Sequence, residues 1–77
     1  MKNTLADIPD NLNDLTNGAY MGRPTTNNPF GSGGLGFFIA FKISNYVVQF
    51  AIDWASDHFY IRNKQDGSTW TGWNQIK

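Results

Sequence analysis

Large apolar residues occupy every second position through the middle of the chain. The alternation runs from Phe37 to Ile43 and again from Tyr46 to Trp54. A period of two, carried by aromatic and β-branched side chains, predicts β-strands rather than helices. The two-residue link Ser44-Asn45 predicts a hairpin, and we expect Asn45 to accept the left-handed backbone conformation that such a turn needs.

The same alternation divides the predicted strands into two faces. One face collects the large apolar side chains, and we expect it to form the core, with Phe37, Phe41, Phe50 and Trp54 inside. The other face is expected to meet solvent. It carries Tyr60 and Trp73 with the polar companions His58, Arg62 and Gln75.

Turn-forming residues separate further elements on both sides of the central hairpin. We predict one helical turn at Leu12 and Leu15, a short edge strand over residues 18–22, and a long loop over residues 23–36 that is anchored by Phe30 and Leu35. After the hairpin we predict a fourth strand over residues 58–63, a turn containing Asp66-Gly67, and a last strand over residues 69–76. The prediction is an all-β domain, an antiparallel meander of about five strands over residues 11–77, preceded by a lead-in over residues 1–10.

Charge and hydropathy exclude several classes of partner. The 77 residues carry six basic and six acidic side chains, with a formal net charge of zero and no basic cluster, which argues against nucleic-acid binding. No apolar run approaches the ~18 residues of a membrane span. We therefore expect no membrane insertion. The first residues also lack the apolar centre of a secretory signal, so if the protein acts outside the cell that made it, we expect it to leave by another route such as lysis.

The absence of cysteine removes disulfides as a source of stability. Area scaling for a chain of this size gives on the order of 120 kcal/mol of apolar burial. The ordering entropy is on the order of 115 kcal/mol. Because the two terms nearly cancel, we expect additional burial against another copy of the chain.

Few residues suit catalysis or metal binding. The run from Gly31 to Gly36 matches the dinucleotide pattern G-x-G-x-x-G, but it lacks the preceding strand and the following helix that the motif requires. His58 is the only histidine, and its neighbour Asp57 would point to the opposite face of a strand. With no Cys and no Glu, we expect neither an enzyme, nor a cofactor, nor a metal site.

Aromatic residues make up 16% of the chain, more than a core of this size needs. Tyr60 and Trp73 share their predicted faces with amide and guanidinium groups. Sugar rings stack their C–H faces on aromatic rings and bond their hydroxyls to such groups. The same residue types also supply the strong contacts of protein interfaces, so glycan binding and subunit packing both remain open at this point.

Four sequence segments form a recognisable series. They are Leu12-Asn13-Asp14-Leu15-Thr16-Asn17-Gly18-Ala19-Tyr20, Gly36-Phe37-Phe38-Ile39, Tyr60-Ile61-Arg62 and Thr69-Trp70-Thr71-Gly72-Trp73. Together they resemble the pyocin knob domains of phage tail fibres and R-type pyocin fibres. The resemblance covers residues 11–77. The family has an opening Leu-Asn-x-Leu motif, an Asn/Pro/Gly-rich loop, two apolar strands and a closing Trp-x-x-Trp. This chain is shorter than a whole fibre.

The resemblance implies a receptor-binding knob, presented as a homotrimer on the virion and extracellular after lysis. Its partner would be a bacterial surface polysaccharide: lipopolysaccharide, capsule or teichoic acid. The family supplies no fixed set of binding residues, so our candidates come from the exposed aromatic and polar positions. They are Tyr60, Arg62, Trp73, His58, Asn27 and Asn28.

Two other functions compete with attachment. In the first, the domain is a structural trimerisation or capping module whose aromatics meet the neighbouring chain and bind no glycan. In the second, it is a glycan-cleaving enzyme, which would need two Asp side chains converging in one cleft.

Overall fold

The chain folds as one antiparallel β-sheet. The computed structural model describes residues 8–65 and 69–77. The elements in chain order are a 3₁₀-helix (Leu12–Asp14), β1 (Gly18–Gly22), β2 (Gly36–Ile43), β3 (Tyr46–Asp53), β4 (Phe59–Gln65), β5 (Thr69–Trp70) and β6 (Asn74–Gln75). The strand order is β1-β2-β3-β4-β5, and β6 also pairs with β4. The predicted all-β meander is therefore confirmed, with the predicted last strand divided in two.

The central hairpin has the predicted register but a different turn residue. Ile43 pairs with Tyr46 across the two-residue link. The left-handed residue is Ser44, with φ 55°, so the assignment of that conformation to Asn45 was wrong. Serine in this conformation costs more than glycine, and the pairing of two eight-residue strands maintains it. The predicted turn at Asp66-Gly67 lies outside the described residues.

The buried side of the sheet is the opposite of the one predicted. Phe38 and Val47 are each 1% exposed, whereas Phe37 and Phe41 are 41% and 43% exposed. Trp54 is also exposed, and Phe50 is only half-buried. The alternation correctly grouped the side chains by face, but the prediction that the face with the largest side chains forms the core was wrong.

The core forms where the N-terminal segment, the long loop and the C-terminal segment cover one side of the sheet. Ile8, Leu12 and Leu15 pack there together with Phe30 and Trp73. The sheet residues in this core are Tyr20, Phe38, Ala40, Ala51 and Tyr60. Alanine lets the covering segment approach the strands closely, and the large side chains of the other face do not.

The two sides of the sheet are named here by their cover. The covered face carries Tyr20, Phe38, Ala40, Val47, Gln49, Ala51, Tyr60 and Arg62. The open face carries Phe37, Ile39, Phe41, Ile43, Tyr46, Val48, Phe50, Ile52, Phe59 and Ile61. Among the described residues, no segment forms a second layer over the open face.

The long loop is held by its own side chains. Phe30 contacts the rings of Phe38 and Tyr60, with centroid distances of 6.0 and 5.4 Å, as its predicted anchoring role requires. Leu35, the other predicted anchor, is half-buried. In the described parts of the chain, the only helix is the single 3₁₀ turn, and none is long and apolar enough to cross a membrane.

Candidate functional site

A buried glutamine, Gln49, is hydrogen-bonded to the candidate residue Arg62. Gln49 of β3 is 1% exposed and lies opposite Arg62 of β4. Its Nε2 donates to the carbonyl oxygens of Leu12 at 2.6 Å and Leu15 at 2.7 Å. Its Oε1 accepts from Nε of Arg62 at 2.8 Å. These three bonds join the 3₁₀ turn, the centre of the sheet and the C-terminal side of the domain.

The guanidinium of Arg62 lies between two indole rings. Its Cζ is 4.0 Å from the ring centroid of Trp70 and 4.7 Å from that of Trp73. Nζ of Lys64 also approaches the Trp70 ring, at 5.6 Å. Arg62 is 5% exposed, so the cation–π contacts are desolvated and stronger than surface ones. Arg62 therefore organises both tryptophans of the closing motif.

Gln49, Arg62, Trp70 and Trp73 form a cluster, and burial determines its electrostatics. Desolvation lowers the pKa of Arg62 to about 10, which still leaves the guanidinium protonated at neutral pH. No carboxylate of the described residues forms an ion pair with it, and its buried Nη2 has no hydrogen-bond partner among them. The positive charge is stabilised by the two indoles and the Gln49 amide instead.

Trp73 connects this cluster to the long loop. Its Nε1 donates to the backbone oxygen of Asn27 at 2.8 Å. Asn27 is exposed and has φ 61°, a left-handed conformation that asparagine tolerates better than most residues. Its Nδ2 donates to Oδ1 of Asn11 at 2.9 Å. A half-exposed indole and an exposed amide residue are thereby fixed side by side.

Two other candidates stabilise the loop and the core. The Nδ2 of Asn28 donates to the carbonyl oxygens of Pro24 and Gly34, and its Oδ1 accepts from the backbone NH of Phe30. Those bonds use both amide hydrogens and the oxygen of the side chain. Tyr60 is half-buried against Phe30. Neither residue is as exposed as the sequence prediction required.

His58 stands apart from the other five candidates. It is exposed, directly precedes β4, and its backbone oxygen accepts from the NH of Asp53 at 3.1 Å. Within residues 8–65 and 69–77, no side-chain hydrogen bond or ring contact joins His58 to the cluster. The structure thus connects Tyr60, Arg62, Trp73, Asn27 and Asn28 and leaves His58 outside.

An open cleft of about 410 Å³ lies at the end of β1, lined by Met21, Gly22, Arg23 and Leu35. The Arg23 side chain reaches across the loop, and its Nη1 donates to the backbone oxygen of Gly33 at 3.4 Å. The cleft is mainly apolar and has one basic group at its border. It contains none of the six predicted site residues.

The cluster offers groups that suit ligand binding: aromatic rings, amides and one cation. Across the described residues, no group of three His or Asp side chains converges that could hold a metal ion.

Sequence reasoning missed the two residues that build the cluster. In the sequence, Gln49 is one polar position of an alternating strand, and in a continuous last strand alternation would put Trp70 and Trp73 on opposite faces. One signal could have found Gln49: a long amide between the small or β-branched residues Val47 and Ala51 needs buried partners if that face is covered. The convergence of Trp70 and Trp73 on one guanidinium depends on the break in the last strand, which the alternation did not predict.

Comparison of the chain with protein-family models, with curated proteins and with solved structures gave no match in any of the three. The resemblance to pyocin knob domains therefore rests on the sequence motifs alone.

Proposed function

We propose that the domain is the receptor-binding knob of a phage-type tail fibre and attaches it to a bacterial surface glycan. The observation that carries the proposal is the bond from Trp73 to the loop backbone at Asn27, which fixes an indole beside an exposed amide. The four sequence motifs supply the biological setting. The proposed activity is binding, without a catalytic step.

The surroundings of Trp73 have the chemistry that a sugar requires. Trp70 and Trp73 are each half-exposed, so part of each ring is available for stacking against sugar C–H groups. The hydroxyl groups of Thr25 and Thr26 lie beside the loop amides and are exposed. Aromatic rings beside amides and hydroxyls suit the sugar units of lipopolysaccharide or capsule, and the sugar units that teichoic acid carries.

The candidate residues then have different roles. Trp73, Trp70 and Asn27 would contact the glycan, because they combine exposure with aromatic or amide groups. Arg62, nearly sealed beneath the indoles, is a positioning residue. In this proposal the knob is carried on the virion as a homotrimer and reaches the medium on lysis.

Substitution of Asn27 by glycine tests the site with little risk to the fold. Glycine accepts the left-handed backbone at this position, so Asn27→Gly removes the amide without straining the loop. We expect at least a tenfold loss of affinity, about 1.4 kcal/mol, for the glycans that the unmodified chain binds. The measurement is binding to an array of lipopolysaccharides, capsular polysaccharides and teichoic acids, with cell pull-down as confirmation.

The matched control is Asn45→Gly, the same replacement at the exposed tip of the central hairpin. His58→Gln serves as a second control, because His58 does not contact the cluster. Both should retain full binding. If Asn27→Gly binds as well as the unmodified chain and gives the same circular dichroism, the site is wrong. If the unmodified chain binds no array glycan and no cells, the function is wrong.

The structural alternative, a trimerisation or capping module, is favoured by a different observation. The sequence predicts that such a module would meet a neighbouring chain through its exposed aromatics, yet Tyr60 and Trp73 are half-buried and Arg62 beside them is buried within the same chain. The open face offers a much larger apolar surface. A module that assembles fibres through that face and binds no glycan is therefore the second candidate function.

A further inference from the structure

The open face has the composition of a protein interior. The ten side chains named above for it are uncharged, and nine of them are fully hydrocarbon; the strand pairing adds two uncharged amides, Asn63 opposite Val48 and Asn74 opposite Ile61. Phe41, Phe50 and Phe59 make ring contacts across three strands, with centroid distances of 6.4 Å and 5.6 Å for successive pairs. In the described part of the chain nothing covers them. A sheet with one bare apolar face is an incomplete two-layer structure.

The exposed area is a large part of what an interface needs. Phe37, Phe41, Ile43 and Tyr46 are 41%, 43%, 74% and 53% exposed. With large side chains of about 150–250 Å², these four residues alone leave roughly 400 Å² open. That is on the order of half the ~800 Å² that each partner contributes to a standard interface, before the half-buried residues between them are added. Patches of this size on single chains are often functional.

The chemistry of the face indicates what covers it. A charged partner would gain nothing from it, because no side chain on the face offers an opposite charge. A flat, neutral, apolar sheet face fits a second surface of the same kind, about 10 Å away, as in a β-sandwich. The open faces of two copies can meet without like-charge repulsion, because neither carries a charged side chain.

We propose that the open face of this chain packs on the open face of other copies of the same chain. Ile39, Phe50 and Ile61 are neighbours across β2, β3 and β4 and would form the centre of the interface. The more exposed Phe37, Phe41 and Tyr46 lie around them. The interface is separate from the proposed glycan site, which is built on the covered face and its loops, so either proposal can fail without the other.

Phe41→Glu in the full 77-residue chain tests this interface. A carboxylate beside the centre of an apolar contact leaves an unpaired charge in the interface, so we expect a mass of about 8.7 kDa by size exclusion with light scattering. The unmodified chain should show twice that mass or more. The matched control is Lys42→Glu, which introduces the same side chain at the next position of β2, pointing away from the open face. It should keep the mass of the unmodified chain.

A second measurement needs no variant. Because only the folded state associates, the thermal midpoint of the unmodified chain should rise by several degrees when its concentration is raised about a hundredfold. If the unmodified chain has the mass of one copy and a midpoint independent of concentration, the proposal is overturned, and a different protein or chain segment covers the face. It is also overturned if Phe41→Glu and Lys42→Glu leave the same associated mass.

Discussion

Gln49 connects three parts of the molecule through a single side chain. Both of its amide hydrogens and its oxygen are used, by the carbonyls of Leu12 and Leu15 and by Nε of Arg62. Since the bonds lie in a desolvated interior, each lost partner leaves a buried polar group unpaired, at about 1–3 kcal/mol. At the scale of the residue, this amide holds the covering segment on the sheet.

The first prediction is that Gln49→Met lowers the free energy of unfolding by about 3 kcal/mol or more, because methionine preserves the volume and removes all three bonds. Urea denaturation followed by tryptophan fluorescence measures the change. The control is Gln65→Met at the exposed end of β4, which should stay within about 0.5 kcal/mol of the unmodified chain. Equal effects of the two substitutions would contradict the role of Gln49.

At the scale of the element, β1 depends on a glycine at its first position. Gly18 has φ 131°, which side chains rarely adopt, and a Cβ there would lie 2.6 Å from Cε2 of Tyr20. Tyr20 is part of the core cluster and cannot move away freely. The strand therefore begins at the point where the ring of Tyr20 folds back over a residue without a side chain.

We predict that Gly18→Ala destabilises the domain by about 2 kcal/mol or more, through the contact with Tyr20 and the strained backbone. Gly72→Ala is the matched control, because a Cβ there meets nothing within 4 Å and its φ is ordinary. That change should be neutral or stabilise by up to about 1 kcal/mol. Thermal denaturation of both variants side by side would show the difference, and a stable Gly18→Ala variant would refute the argument.

At the scale of the whole molecule, the two faces of the sheet contribute to stability in different ways. The covered face is sealed within one chain by residues such as Leu12, which is 0% exposed. If the open face is sealed between copies, its contribution depends on concentration. Ile43, which is 74% exposed, is one of the side chains whose contribution would depend on concentration.

This division between the internal core and the open face predicts that stability will depend on protein concentration differently for two side-chain truncations, Leu12→Ala and Ile43→Ala. Leu12→Ala should cost about 2–5 kcal/mol at every protein concentration, because it opens a cavity in the internal core. In dilute samples, Ile43→Ala should change the free energy of unfolding by no more than about 0.5 kcal/mol. In concentrated samples it should lower the thermal midpoint, since association is weakened. Calorimetry at two concentrations checks both, and parallel behaviour of the two variants would contradict the division.

The sequence determined the elements of this fold. The period of two through residues 37–54, the glycines around β1 and the two-residue link predicted the strands, the edge strand and the hairpin in their observed order. These features are local: alternation and turn chemistry act within a few residues of the chain. The positions of the anchor Phe30 and the single helical turn also followed from local patterns.

Only the tertiary structure decided which face of the sheet is covered. The alternating pattern is the same whether the covering segment packs on one face of the sheet or on the other. It therefore could not predict that Leu12 and Leu15 pack on the face of Ala40 and Ala51 and not on the face of the phenylalanines. That choice depends on close approach and on the bonds of Gln49, which join residues 34 and 37 positions apart. The Trp70–Arg62–Trp73 cluster and the open face both result from it.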